Sequence, residues 1–482
     1  MKILFVSAEV SPYAKVGGLA DVAGSLPKAL AAHGHDVRIV MPAYGMTLSD
    51  PRWKVRRVGQ LEAVMNSAWS EKARIHEVVD APVPVYLVGS DKRFADVDRS
   101  ERIYGPNGSE PYQFFSCAAL ALPEAIGWEP DVIHCHDWQT GFVPVLMRER
   151  KPDRWAAVAA VYTVHNLAYQ GEFPPSDLDL LGLPRSLFDF RHVEAYGAVN
   201  YLKAGCTYAD HVTTVSPRYA EEIQTPGYGC RLDGLMRFLD EQGRLSGILN
   251  GLDLDEFNPA TDPHIAANYS AANPAGKAAC RAELLANVGL RPIQGAPIIG
   301  IVTRLSEQKG MDLVLAAGAE LARKAQLIVL GTGDPALGAG FLALQAKNRT
   351  RVRFLEGFSI DMAPKIYAGS DLFLMPSAFE PCGLGQMIAM RYGTPPIVRR
   401  TGGLSNTVFE GENGFVFDLK TPEAMMAAVN RAVKAFKDPE RWTKLMHAGM
   451  TGAYGWDGRA SAYERVYERC AAARQAPVRV RA

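Results

Sequence analysis

The feature that most constrains this chain is a local unit that recurs in both of its halves: a short apolar run, a polar or glycine-bearing turn, then a helical segment. Residues 2–7 read as a strand, and the loop after them carries Lys15, Gly17 and Gly18. A helix follows over about 19–32, closed by Gly34, and residues 35–41 form the next strand, ended by Pro42. Glycines at a strand-to-helix turn let the backbone take up positive φ and come close to a ligand. A β-loop-α-β order of this kind starts a doubly wound parallel sheet. The spacing is not GxGxxG, so the dinucleotide fingerprint is not matched. The alternation continues with strands at 130–136 and 157–164, which end in Asp137 and in His165-Asn166, and at 211–215. It starts afresh with strands at 297–303, 326–331, 351–356, 371–375 and 396–398, and a helix at 311–323. The expected class is therefore α/β with two parallel sheets. The first domain is expected over 1–245 and the second over 246–458. The polar stretch 268–274 is read as the crossover, and a final helix from about 459 as returning to the first domain. The Pro- and aromatic-bearing excursion 169–200 is too long for a simple connection and reads as a substrate-facing loop with short helices.

Composition narrows the function classes. Lys+Arg and Asp+Glu number 52 each, so no net field favours nucleic acid or an anionic membrane. No apolar run approaches the roughly 18 residues of a membrane helix. The apolar start before Glu9 is too short for the core of a signal peptide. Seven scattered cysteines without a CxxC pair point to free thiols in a reducing compartment. The expected location is the cytoplasm.

The densest chemistry lies at Phe379-Glu380-Pro381-Cys382-Gly383-Leu384, between the strand 371–375 and a helix over 384–392. Glu380 is thus delivered at the carboxyl end of a strand, where open α/β sheets bind ligands. A second helix start follows at Thr401-Gly402-Gly403. Two anion-seeking helix starts around one acid suggest a phosphorylated sugar donor. The C-terminal half adds Arg304 and Lys309, and the N-terminal half Lys15, Asp137, His165 and Asn166. Each also has a structural reading. Glu380 can be a solvated loop acid, Asp137 a helix cap, His165 a hydrogen-bonded core histidine, and Arg304 with Lys309 a solvated pair.

Taken together, the motifs resemble the bacterial glycogen synthase family. They are Ser7-Ala8-Glu9, Lys15-Val16-Gly17-Gly18-Leu19, His136-Asp137-Trp138, Thr163-Val164-His165-Asn166, Asn250-Gly251-Leu252-Asp253, the stretch from Thr303 to Gly310, Phe379 to Gln386, and Thr401-Gly402-Gly403-Leu404, in the family's order. The resemblance implies two Rossmann-like domains facing a deep cleft (the GT-B fold). It also implies retaining transfer of glucose from ADP-glucose to an α-1,4-glucan (glycogen or maltooligosaccharides) with release of ADP. Among site residues it implies Lys15, Gly17, Gly18 and Asp21 as the donor-binding loop. By the same resemblance Arg304 and Lys309 are expected to neutralise the departing diphosphate, Glu380 to lie on the far side of the sugar ring, and His165 to face the reacting glucose. Asp137 and Asn250 line the sugar and acceptor side, and Gly331, Gly333 and Phe358 match the nucleoside pocket. Cys382, Gly383 and Leu384 fall in the donor-binding loop, where Cys382 is given a packing role. Thr401, Gly402 and Gly403 look like backbone donors to phosphate.

Three stretches depart from the family's pattern: Val16 replaces a threonine, Glu110 to Phe115 replaces Asp-Asn-x-x-Arg-Phe, and Arg231 replaces a glycine after Cys230. No cofactor and no metal are expected, because Asp96-Val97-Asp98, Asp177-Leu178-Asp179 and Asp253-Leu254-Asp255 do not follow buried strands as a metal-binding Asp-x-Asp would. The alternatives are another transferase of the same fold using UDP-glucose, a phosphorylase, and a glucan-binding relative without activity.

Overall fold

The computed structural model describes residues 1–105, 108–357, 359 and 361–476. The chain forms two compact units, Met1–Gly251 together with the segment from Trp456 onward, and Leu252–Gly455.

The first unit is built on a sheet of nine strands. In chain order they are β1 (Lys2–Val6), β2 (Asp36–Pro42), β3 (Val55–Val64), β4 (Ser70–Val78), β5 (Val85–Gly89), β6 (Val132–His136), β7 (Ala159–Val164), β11 (His211–Thr214) and β12 (Leu245–Gly247), with β8 to β10 in a separate sheet. Their spatial order is β12-β11-β7-β6-β1-β2-β5-β4-β3. The run from β12 to β5 is parallel. β1 and β7 are almost continuous apolar runs, as strands covered on both faces must be, and β6 is buried throughout although it carries His134 and His136. Strand order reverses between β1 and β6, so their carboxyl ends flank the switch point where such sheets bind ligands.

The sheet is not wholly parallel as expected. β4 pairs antiparallel with both β3 and β5, because the short links 65–69 and 79–84 can only reverse the chain, whereas a parallel crossover needs a dozen residues or more. The excursion 169–200 holds the short helix Asp177–Leu180 and also a small antiparallel sheet of β8 (Glu172–Phe173), β9 (Glu194–Ala195) and β10 (Ala198–Asn200). The terminal helix Asp457–Gln475 lies against the helix Gly18–Ala32 and β7. It buries Tyr463 and Tyr467, and the Tyr467 hydroxyl meets His134 Nδ1 on β6 at 2.8 Å.

The second unit has six parallel strands: β13 (Ile298–Val302), β14 (Gln326–Gly331), β15 (Val352–Glu356), β16 (Leu372–Met375), β17 (Pro396–Arg399) and β18 (Phe415–Phe417). Their order is β15-β14-β13-β16-β17-β18, the doubly wound topology with its switch point between β13 and β16. Its core joins Ile299, Ile301, Leu327, Val329, Leu372 and Leu374 to the buried faces of the flanking helices.

Three expectations need correction. The first unit extends to Gly251 rather than 245, because Leu245, Ser246 and Gly247 pair in register with β11. The stretch 268–274 is no crossover; it lies inside the second unit, where the buried Tyr269 donates its hydroxyl to Tyr392 O at 2.8 Å. The helix expected over 311–323 is two helices, Met311–Ala316 and Gly318–Lys324, parted at a glycine of low helical propensity. Helices Asp233–Glu241, Pro335–Lys347 and Pro422–Phe436 were not anticipated. No helix among the described residues is long and apolar enough to cross a membrane.

Tyr467→Phe should lower the denaturation midpoint of the protein, at a cost of about 1–3 kcal/mol, because it leaves a buried imidazole nitrogen of His134 unsatisfied. An unchanged midpoint would mean that this contact adds nothing to the docking of the terminal helix.

Candidate active site

In the second unit, the loops leaving β13 and β16 meet at the switch point. The loop 303–310 carries Arg304, which is exposed, and Lys309. It is tied to the loop after β16 by Ala378 N donating to Gln308 O at 2.8 Å. On that second loop Glu380 is 5% exposed. Lys309 Nζ donates to both of its carboxylate oxygens, at 2.9 and 2.7 Å. Ser377 Oγ donates to one of them at 2.9 Å. A carboxylate this far from water has to be paired and hydrogen-bonded. Glu380 is therefore a buried, paired acid and not a solvated loop residue. Lys309 is likewise no solvated charge.

The glycines set how closely the loops approach. A Cβ on Gly402, whose φ is 44°, would lie 1.9 Å from Glu380 O. Gly403 N donates to Glu380 O at 3.1 Å and to Pro381 O at 3.2 Å. The Gly403 N–H, expected to face phosphate, is thus spent on the Glu380 loop, while Thr401 is the residue before the helix Gly402–Thr407. Gln386 Nε2 braces the same loop by donating to Cys382 O (3.1 Å), Gly383 O (2.9 Å) and Thr407 Oγ1 (3.2 Å). Cys382 is buried, and Leu384 leads into the helix Gly385–Arg391. Beside them, the turn Gly331-Thr332-Gly333 is strapped to the Arg304 loop. Leu305 N donates to Thr332 O at 2.8 Å, and Asp334 N donates to Leu305 O at 2.9 Å. A Cβ on Gly331 would lie 2.0 Å from Thr303 O. Phe358 lies outside the described residues.

In the first unit, the loop after β1 is organised by Glu9. Its Oε2 accepts from Val16 N at 2.5 Å and Gly17 N at 2.9 Å, and Tyr104 donates its hydroxyl to Oε1. Burial pushes this carboxyl above the usual range. The Gly17 N–H, expected to touch a diphosphate, is therefore already occupied by a carboxylate, and Gly18 opens the helix Gly18–Ala32. Lys15 Nζ meets Asp21 Oδ1 at 2.5 Å. Burial raises the Asp21 carboxyl, and the Lys15 charge opposes the rise.

Beyond β6, Asp137 has a φ of 54°. Its Oδ1 accepts from His165 N at 2.7 Å, so it joins the ends of β6 and β7 and caps no helix. Burial pushes its carboxyl up to about 7. His165 Nε2 lies 3.1 Å from His136 Nδ1, and burial pulls the His165 imidazole down to about 3. Asn166 Oδ1 accepts from Ala168 N at 3.0 Å. Asn250 is buried, and among the described residues its Oδ1 has no hydrogen-bond partner.

The sequence did not single out Glu9, Tyr104, Ser377, Gln386 or His136 as site residues. Two signals were present. Glu9 is an acid at the end of a buried strand, and the alternation His134-Cys135-His136 puts both imidazoles on one face of β6. The Asp-x-Asp tripeptides serve elsewhere. Asp96 and Asp98 lie 3.5 and 3.2 Å from Arg102 nitrogens. Asp177 accepts from the Tyr201 hydroxyl at 2.6 Å, and Asp179 pairs with Arg185. Asp253 accepts from Asp255 N at 3.1 Å.

Comparison with known proteins gives this geometry a context. Residues 2–238 match the family described as the starch synthase catalytic domain, and residues 290–445 match the glycosyl transferases group 1. A glycogen synthase of Anaeromyxobacter sp. is 45% identical over 98% of this chain and 100% of its own length. One of Geotalea daltonii is 42% identical over 97% of this chain and 98% of its own. The catalytic domain of starch synthase IV from Arabidopsis thaliana, solved bound to ADP and acarbose, superposes with a TM-score of 0.91 at 34% identity, over 98% of this chain and 99% of that one. A sucrose-phosphate synthase from Thermosynechococcus elongatus, at 21% identity and a TM-score of 0.62 over 98% and 99% of the two chains, shares the fold.

Two outcomes test the electrostatics. Lys309→Ala strands a buried carboxylate and should cost about 3–5 kcal/mol of stability. Adding Glu380→Gln should restore much of that loss, and a double variant as unstable as the single one would contradict the pairing. Asp137 has a folded value raised from 3.8 to about 7. Its contribution to stability is therefore fully present below the ordinary carboxylate value and is lost as pH rises through about 7. Asp137→Asn removes that loss, so the stability of the variant relative to the parent should rise with pH between about 4 and 7. Parallel pH–stability curves would show that the carboxyl titrates normally.

Proposed function

The chain belongs to the bacterial glycogen synthase family, and from that premise we propose that it transfers glucose from ADP-glucose to the non-reducing end of an α-1,4-glucan, with retention of configuration and release of ADP. Its fold is of the GT-B class, two doubly wound α/β units, and it is a glycosyltransferase. ADP is taken as the leaving group by analogy with the Arabidopsis enzyme, which was solved with ADP bound.

Breaking the bond between glucose C1 and the diphosphate leaves negative charge on the departing oxygen, and preorganised cations lower the cost of that charge. In this reading Arg304 and Lys309, with Lys15, supply them. Glu380 faces the sugar, held in one orientation by Lys309 and Ser377. His165 is neutral and presents its ring and its main-chain carbonyl to the sugar. Asp137 and Asn250 line the sugar and acceptor side, and Gly331 and Gly333 the nucleoside side. The observation that carries the reading is the contact of Lys309 with Glu380, which puts a cation suited to a diphosphate and an anion suited to sugar hydroxyls at one switch point.

The test is incorporation of labelled glucose into glycogen from ADP-glucose and from UDP-glucose, each with and without EDTA. The expected result is faster incorporation from ADP-glucose, unchanged by chelator. Incorporation from UDP-glucose alone would reassign the donor. Loss of activity in EDTA that Mg²⁺ or Mn²⁺ restores would assign the diphosphate charge to a metal. No incorporation from either donor would favour a glucan-binding protein.

A further inference from the structure

Three imidazoles stand together where β6 and β7 end. His134 is satisfied on both sides, with Nε2 at 2.6 Å from Thr163 Oγ1 and Nδ1 at 2.8 Å from the Tyr467 hydroxyl. His136 is fully buried. Its ring is fixed between Phe5, with centroids 5.4 Å apart and planes at 21°, and His134, 4.2 Å away. Its Nδ1 lies 3.1 Å from His165 Nε2, and among the described residues its Nε2, out of water, has no hydrogen-bond partner. Burial pulls all three imidazoles below their ordinary value, so each carries one ring proton.

A single proton sits between His136 Nδ1 and His165 Nε2, and there are two ways to place it. If His165 Nε2–H donates, His136 must carry its own proton on Nε2, which is then a buried N–H with no acceptor. If His136 Nδ1–H donates, the unpartnered atom on His136 Nε2 is only a lone pair. Orphaned buried N–H groups are the rarer of the two in folded proteins, so the second placement is favoured. In that placement His165 Nδ1 carries the proton; among the described residues no hydrogen bond reaches it, but unlike His136 Nε2 it is not shut off from water, so its N–H can be hydrated.

We propose that His136 is a positioning residue that holds His165 in its Nδ1–H tautomer, so that the His165 ring offers a hydrogen-bond donor to a sugar hydroxyl. Which ring nitrogen of a histidine is protonated is set by the hydrogen bond the other one makes. Phe5 and His134 hold the His136 ring in place, and Asp137 fixes the His165 main chain through its 2.7 Å bond. The sugar in this statement rests on the function proposed above, whereas the tautomer does not.

The experiment is NMR of the full-length, unliganded protein with ¹⁵N-labelled histidine rings, the His165 signals being assigned by their loss in His165→Ala. The expected result is a protonated Nδ1 and an unprotonated Nε2 on His165. In His136→Phe the ring should become a mixture of tautomers, and glucosyl turnover should fall about 10- to 100-fold, the scale on which partners that orient a functional histidine act. His136→Asn, whose amide N–H can replace the donor, should recover part of both. A His165 ring protonated at Nε2 in the parent would overturn the proposal, as would a His136→Phe protein with parental tautomer and turnover. Should His136→Phe not fold, the ring signals of the parent decide alone. A parent with the expected tautomer but no glucosyl transfer would sink the functional reading and leave the tautomer standing.

Discussion

Glu380 cannot sit where it does without Lys309. A carboxylate taken out of water is tolerated only when a cation and further donors replace its hydration, and here Lys309 reaches both oxygens while Ser377 reaches one. The position of Lys309 depends on the loop after β13, that of Ser377 and Glu380 on the loop after β16. The two loops adjoin because β13 and β16 are neighbours where the strand order reverses. The close approach of Gly402 to Glu380 O then prevents any side chain at residue 402 without displacing the acid. The topology, the glycines and the ion pair are thus one arrangement seen at three scales.

The first unit uses the same device. Lys15 is held by Asp21, and the N–H groups of Val16 and Gly17 by Glu9. A lysine suited to a diphosphate is paired with a carboxylate inside each unit, while the backbone donors go to a carboxylate in the first unit and to main-chain carbonyls in the second. A ligand that engages these lysines must exchange one anionic partner for another, which favours an anionic donor over a neutral sugar. At the ends of β6 and β7 burial disfavours the charged forms, keeping His165 neutral through its low value and raising the Asp137 carboxyl to about 7.

The α/β class, the strand ends bearing Asp137, His165, Arg304 and Glu380, and the glycine turns were legible because apolar runs, their punctuation and the residues just after them are local signals. The antiparallel pairing of β3 and β4 was not legible, since pairing direction depends on link length rather than on composition. The 245–251 boundary was missed because three residues of strand carry too little pattern to be assigned to a sheet. Glu9 and Ser377 were missed as site residues for a different reason: each acts on a neighbour brought close by the turn of the chain, and a sequence displays residue types without their hydrogen bonds. The motif resemblance supplied roles for Gly17 and Gly403, but not the fact that their N–H groups already have acceptors within the protein.

In the proposed reaction Glu380 acts on the sugar through its charge, and the kinetics of Glu380→Gln test this most directly, because the amide keeps the shape and removes the charge. Turnover with ADP-glucose and glycogen should fall at least ~100-fold, the scale of one lost transition-state electrostatic contact, while ADP affinity changes little. A folded Glu380→Gln protein that keeps turnover within a few-fold of the parent would make the buried carboxylate a structural partner of Lys309 and nothing more.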